Sequence, residues 1–416
     1  MTKYDYLLLN GHVIDPENGI NEVMDIAVQD GKIARIDKCL ENQTATSILD
    51  LSGLYVTPGL IDAHVHCYYN TGVQKSWTGD YSIQPDLINL SQGVTTMIDA
   101  GSSGSYNFDH FRSTVINRSK TKIYALLNIT DLGMTSLRDE QYPLENDFQS
   151  FISCYQRNKD RIVGIKIAHY DGKDFNDIDY AKKIQEEIQI PIMVDFGVFK
   201  KERPYDELLL SRLRRGDITT HCFRGPVPIL DTEGYVYDYL REARKKGIIF
   251  DVGHGAGSFL FRNAIPAVQQ NFLPDILSTD LHVLSYRYTS GMSDLLSKFM
   301  SIDNTKFYDY IRMTTEIPKK VFGLKNCGNI SVKSEADIAV WNLRKGIFSY
   351  QDTGGGRLDS DICLECEMTF IQGEVCFDRN ARTSKRYDKL DENYGYNPMK
   401  EQKIIPQFKV IKNEHL

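Results

Sequence analysis

The 416-residue chain is 41% hydrophobic, 25% charged and 11% aromatic, proportions of an ordinary globular protein that exclude collagen-like, coiled-coil and wholly disordered classes. A formal charge of −7 and a pI of about 5.8 offer no basic surface, so neither nucleic acid nor anionic lipid is expected as a partner. With a mean hydropathy of −0.37 and no apolar run near the ~20 residues that cross a bilayer, no membrane partner is expected either; eight cysteines are too few for a disulfide scaffold, and a reduced, cytoplasmic setting fits better.

The N-terminal MTKYDYLLLNGHVID has a short apolar patch broken by Asn10 and His12, and reads as a first strand, not a signal peptide. Short alternating runs continue to about residue 55, separated by Gly, Asp and Asn turns, which is hairpin texture. The same texture returns in NISVKSEADIAVWNL and CEMTFIQGEVCFD. A small β-sandwich-like domain built from both termini is therefore expected, over 1–55 plus 325–380. Cys363 and Cys366 form a C-x-x-C there, but no second such pair follows, and a structural zinc site is not expected.

Between these ends, 56–324 alternates strand-like and helix-like segments. Strands are expected at 59–66, 94–101, 123–130, 162–169, 190–197, 217–223, 248–254 and 275–282. Helical spacing fills the gaps, as in NFDHFRSTVINR, IDYAKKIQEEIQ and YVYDYLREARKK, and recurs after the eighth strand in SDLLSKFMS and FYDYIRMTTEIPKKVFG. The pattern predicts an α/β fold, a (β/α)8 TIM barrel; a doubly wound sheet lacks its glycine-rich phosphate turn here. Residues 381–416 are polar and mixed in charge, an expected surface extension whose IIPQFKVI could dock as a strand.

Barrel enzymes build their sites where the strands end, so polar residues there carry the information. His64 and His66 close the first strand at i, i+2 spacing, which puts both imidazoles on one face as candidate metal ligands. Lys166 lies inside an apolar strand, where an unpaired ammonium is costly. An ion pair, a Schiff base or a carbamate formed with CO2 would each account for it, and the neighbouring histidine pair favours the carbamate. Asp195, His221 and Asp280 fall at the ends of the fifth, sixth and eighth strands and complete a donor set suited to zinc or a similar divalent ion. His254 and Arg224 lie nearby as groups that could hold a substrate carboxylate.

The block SGLYVTPGLIDAHVH, the strand-four lysine, the strand-six histidine and the strand-eight aspartate resemble the amidohydrolase superfamily. GVTTMIDAGSSGSYNF, RIVGIKIAH, DITTHCFRG, FDVGHGAGSF and LSTDLHV are similar to its dihydroorotase-like metallo-deacetylase group, hydrolases of N-acyl or O-acyl small carboxylic acids. The resemblance implies a buried ion on His64, His66 and Asp280, and a second ion shared by a Lys166 carbamate, the strand-five ligand and His221, with one or two Zn2+ per chain. It also implies a homo-oligomer and a small-molecule substrate bearing a carboxylate. The chemistry implied is attack of a metal-bound hydroxide on an acyl carbonyl, with Asp280 as proton shuttle. The family has histidine at the strand-five position, where this chain has Asp195. Dihydroorotases place an arginine just after the paired histidines, and HVHCYYN has Cys67 there, which argues against dihydroorotase proper. A cyclic amidohydrolase or a deaminase is the alternative activity; Asp195 alone speaks for a third reading, a catalytically weakened binding protein.

Overall fold

The computed structural model describes residues 3–141 and 147–390. Residues 4–58 and 338–378 together supply one eight-stranded sheet. The N-terminal part supplies β1 (Tyr4–Asp15), β2 (Ile20–Gln29), β3 (Lys32–Asp37), β4 (Ala45–Asp50) and β5 (Tyr55–Pro58). β5 pairs with β1 on one side and with β13 (Ile338–Gln351) on the other, and β14 (Arg357–Ile371) and β15 (Glu374–Asp378) follow outward. The alternating runs explain it: Leu8, Val13, Ile26, Val28 and Val56 pack with Ile338, Val340, Met368 and Phe370 in one apolar cluster.

A second, seven-stranded sheet is parallel throughout. Its strands are β6 (Leu60–Val65), β7 (Val94–Ala100), β8 (Lys122–Asn128), β9 (Ile162–Ile167), β10 (Ile192–Val194), β11 (Ile218–Thr219) and β12 (Ile249–Phe250). The first four match the expected strands closely, whereas β10 to β12 shorten to three, two and two residues. The expected eighth strand forms no ladder; it makes isolated parallel bridges, Ile276 to Asp251 and Leu281 to Val65. The cause is local. Gly253, Gly255, His221 and Asp280 all have positive φ, which turns the backbone out of extended geometry where the strands would continue.

Helices cover this sheet where the 3.6-residue spacing places them. Helix Asn176–Ile188 buries Ile178, Ala181, Ile184 and Ile188, and carries Asp177 and Asp179 in its first turn, where the helix dipole favours them. Helix Asp238–Lys246 ends on Gly247, whose φ of +96° lets its N–H return to the Ala243 and Arg244 carbonyls. The two sheets are joined by a dry seam. Trp341 is fully buried, donates from Nε1 to Thr57 Oγ1 at 2.9 Å, and lies so near Gly93 that a Cβ there would come within 2.4 Å of its ring. No helix among the described residues is long and apolar enough to cross a membrane. Residues 381–390 form a separate unit with a short 3-10 turn at Tyr387–Lys389, and the IIPQFKVI segment lies outside the described residues.

Candidate active site

A small cavity of about 40 Å³ opens at the C-terminal ends of the parallel strands. Six of the sequence-predicted residues line it: His64, His66, Lys166, Asp195, His221 and Asp280. The strand frame sets each one. His64 lies within β6 and His66 follows it, Lys166 sits near the end of β9, Asp195 follows β10, and His221 comes two residues after β11.

The histidines are held by their far nitrogens. His64 Nδ1 lies 3.0 Å from Thr220 Oγ1 and 3.3 Å from Asp251 Oδ2, while Thr220 itself donates to that carboxylate. His221 Nδ1 donates to the Gly253 carbonyl at 2.7 Å, and His66 Nδ1 meets Ser102 Oγ at 2.9 Å. Anchoring through Nδ1 fixes ring orientation and turns Nε2 toward the cavity, which is how metal-binding histidines are commonly presented. Burial, reinforced by the nearby Lys166, pushes the His64 pKa down to about 4, so this imidazole is neutral at pH 7.

Asp280 faces these nitrogens. Its Oδ1 lies 3.2 Å from His66 Nε2 and 3.5 Å from His64 Nε2, yet it is buried and has no hydrogen-bond partner. An unsatisfied buried carboxylate oxygen costs free energy comparable to a lost charged hydrogen bond. Here it converges with a neutral imidazole whose Nε2 presents a lone pair, an arrangement a cation relieves. The three donor atoms lie within 4.8 Å of one another, the one His/Cys/Asp/Glu trio with that geometry among the described residues. The chemistry of the set, two imidazoles and a carboxylate, fits zinc or a similar divalent ion.

Lys166 is almost fully buried and donates to His64 Nε2 at 3.3 Å, with Met193 Sδ at 3.8 Å. Burial lowers its pKa from the ordinary lysine value, against the pull of Asp195, Asp280 and Asp251. Across the cavity, Asp195 Oδ2 lies 3.4 Å from His221 Nε2 and 3.9 Å from His169 Nε2, and its Oδ1 is bound by Arg224 Nη1. Burial alone would raise the Asp195 carboxyl; Arg224, joined by His221 and His169, outweighs it and holds the group well below the usual carboxylate range.

The two expected substrate contacts stand apart from the cavity lining. His254 is fully buried, stacks on Phe259 at 4.8 Å, and accepts a hydrogen bond from Lys298 Nζ at 2.9 Å. Lys298 is fully buried too and also reaches the Tyr288 carbonyl at 2.5 Å and Asp294 at 3.0 Å. Arg224 is engaged by Asp195. The lining instead includes Trp77, Met134, His169 and His282, which the sequence reading did not single out. His169 and His282 were legible as polar residues at strand ends in KIAH and STDLH. Trp77 sits in an irregular loop with no periodicity to flag it. His169 lies 5.1 Å, ring to ring, from Trp77 and hydrogen-bonds through Nδ1 to the buried Glu140 at 2.8 Å. Burial lowers the His169 pKa, but Glu140 more than offsets it, so the ring favours the charged form.

His169, His221 and Asp280 share a further property, φ values of +55°, +62° and +45°. A side chain other than glycine in that region is strained, and strain of this kind concentrates at functional sites.

Residues 260–376 match the model of the amidohydrolase family. A deacetylase of Agrobacterium fabrum is 32% identical over 78% of this chain and 80% of its own length. Among solved structures, an adenine deaminase superposes with a TM-score of 0.80 at 27% identity, covering 90% of this chain and 100% of that one. A dihydroorotase superposes with a TM-score of 0.78 at 30% identity, covering 89% of this chain and 98% of that one. Long-range identity at this level, together with a buried His-His-Asp trio at the strand ends, leads to one conclusion: the chain belongs to the amidohydrolase family and is a hydrolase.

Proposed function

We propose that the protein is a metal-dependent deacetylase that releases acetate from an N-acyl or O-acyl small carboxylic acid. The observation that carries the reading is Asp280 Oδ1, buried without a hydrogen-bond partner and facing His64 and His66 Nε2, with His282 Nδ1 also at 3.5 Å, at the head of the parallel sheet. The likeness to the Agrobacterium deacetylase over most of both chains supports the acyl-bond specificity.

His64, His66 and Asp280 would hold the ion, and Lys166, Asp195 and His221 form the facing wall, with Lys166 as the amine that takes up CO2 as a carbamate. A divalent ion, zinc by the donor chemistry, would supply electrophilic activation and bring the pKa of a water down toward roughly 7. The chain's own residues do the rest. Asp280 accepts a proton at a carboxylate oxygen and returns it to the leaving amine or alkoxide, a task worth ~10²–10⁴ in rate. Trp77 and Met134 exclude water from the acyl pocket. His169, braced by Glu140, holds the substrate carboxylate at the mouth, the role that the sequence assigns to Arg224 and His254.

The scaffold we infer is a closed (β/α)8 barrel over 56–324, with 276–281 as its eighth strand. Support comes from the two bridging pairs and from the His254 N–H to Ser278 O and Gly255 N–H to Thr279 O bonds that stitch this segment to its neighbour. Residues 1–55 and 325–380 would then be a separate β-domain.

The test is a substrate panel on protein purified in bicarbonate without chelators. N-acetyl and O-acetyl acids are assayed for acetate, dihydroorotate for ring opening and adenine for ammonia. Acetate release with a carboxylate requirement is expected. Turnover confined to ring opening or ammonia release would replace the deacetylase reading with its family alternatives.

A further inference from the structure

Asp195 and Arg224 form the part of the site that departs from the pattern the sequence resembles. A carboxylate in place of an imidazole adds one negative charge to a cavity that already holds Asp280. Arg224 puts one positive charge back, with Nη1 on Asp195 Oδ1. Counted together, the pair is as neutral as the histidine it stands for.

The pairing also divides the work between the two carboxylate oxygens. Oδ1 accepts from the guanidinium and from the Gly197 N–H at 2.9 Å, which leaves Oδ2 facing His221 Nε2 at 3.4 Å and His169 Nε2 at 3.9 Å. His221 is anchored through Nδ1 on the Gly253 carbonyl at 2.7 Å, so Nε2 is the ring nitrogen left to face the cavity. Asp195 Oδ2 and His221 Nε2 thus stand 3.4 Å apart on the lining of one cavity, a carboxylate oxygen and an imidazole nitrogen spaced as the donor atoms around Asp280 are. Arg224 Nε is buried without a hydrogen-bond partner, so the guanidinium meets Asp195 through Nη1.

We propose that Asp195 and Arg224 act as one unit in place of a histidine: Asp195 Oδ2 and His221 Nε2 ligate a second divalent ion, and Arg224 is the positioning residue that balances the carboxylate's charge and fixes its rotamer. This rests on the metal-dependent reading above. An arginine suits the task better than a lysine because its planar fork holds a carboxylate oxygen in a defined direction.

The charge count predicts the sign of each exchange. Asp195→His leaves Arg224 uncompensated beside the ion, so the second ion binds more weakly, by about tenfold or more for closely coupled groups. Arg224→Met leaves an extra negative charge, so the second ion stays. The double variant Asp195→His/Arg224→Met restores neutrality and the second ion with it.

Equilibrium dialysis against graded free Zn2+ in bicarbonate buffer, read by elemental analysis, tests all four proteins, with circular dichroism to verify folding. Two ions per chain are expected in the wild type and in the double variant at concentrations where Asp195→His alone keeps one. One ion in the wild type, or a second ion held equally well by Asp195→His, overturns the proposal and leaves the first site standing. Weak binding in both Asp195→His proteins also overturns it, because the carboxylate would then matter for itself. No ion in any of the four would overturn the metal-dependent reading instead. Mn2+ loading gives an independent readout: a spin-coupled pair in the electron paramagnetic spectrum of the wild type is expected, and an isolated-ion spectrum at full loading refutes it.

Discussion

Replacing Gly255 by alanine perturbs Asp280 without touching it in sequence. Gly255 has φ +54°, and a Cβ built there would lie 2.3 Å from Asp280 Oδ2. Ordinary contact begins near 3.4 Å, so one of the two groups must move by about 1 Å. Two costs follow. The left-handed backbone disfavours alanine by about 1–2 kcal/mol, which appears as lost stability. Misplacing a reacting group by ~1 Å can cost ~10²-fold in rate, or about 2.7 kcal/mol of barrier. Gly257, in the same loop, has nothing within 4 Å of a built Cβ and no positive φ, so Gly257→Ala is the matched control. The assay pairs kcat/KM on the best acetylated substrate with a thermal melt. Gly255→Ala is expected to lose about 10²-fold in kcat/KM and a few degrees in Tm, with Gly257→Ala near wild type. Full activity in Gly255→Ala, or equal losses in both variants, would refute the claim that the backbone here sets the carboxylate's position.

Asp280→Asn should retain the fold while turnover falls by ~10²–10⁴; a melt at the wild-type temperature with undiminished kcat would remove Asp280 from the proton path. Trp77→Ala opens the wall beside His66, His169 and His282, and is expected to raise KM more than it lowers kcat, checked by full saturation curves. Lys298→Met strips the partners of a fully buried ammonium, leaving His254, Asp294 and the Tyr288 carbonyl short of a donor; an unfolding free energy lower by about 3–5 kcal/mol in urea titration is expected. Glu316 titrates in a predictable direction: burial raises it, but Lys320 and Arg312 outweigh burial and hold it below the ordinary glutamate value. A carboxyl lowered in the folded state stabilises above its unfolded pKa and loses that contribution as pH falls through the folded value. Glu316→Gln should therefore cost about 0.5–1 kcal/mol at pH 7 and progressively less below pH ~4.5, measured by paired melts across pH; a constant difference would contradict the sign.

The strands and helices were legible because burial writes itself in periodicity. β6 is apolar or inward-facing at every position, and helix Asn176–Ile188 repeats its apolar residues at helical spacing. The cavity-lining set was legible for a different reason: His, Lys and Asp stand out against apolar strands, and their places at strand ends are simple to count. What escaped was whatever depends on the third dimension. His254 ends a strand just as His221 does, but Lys298, more than forty residues later, claims its Nε2 and draws it away. Arg224 was visible as a cation, while its commitment to Asp195 required the fold. The early ends of β11 and of the expected eighth strand were likewise hidden, because a positive φ at His221 or Asp280 leaves no trace in composition.

The sheet assembled from both ends of the chain has a consequence for how the protein is made. β5 lies between β1 and β13, so the strand that completes its pairing emerges from the ribosome only after all of β6 to β12 has been synthesised. Until then Gly93 lacks the Trp341 ring that covers it, and one face of the catalytic body is exposed to solvent. Closing so long a loop is slow, and unpaired strand edges invite association in the meantime. On this topology the parallel strands precede their Trp341 cover in order of synthesis, and β13 is the strand whose arrival completes the pairing of β5.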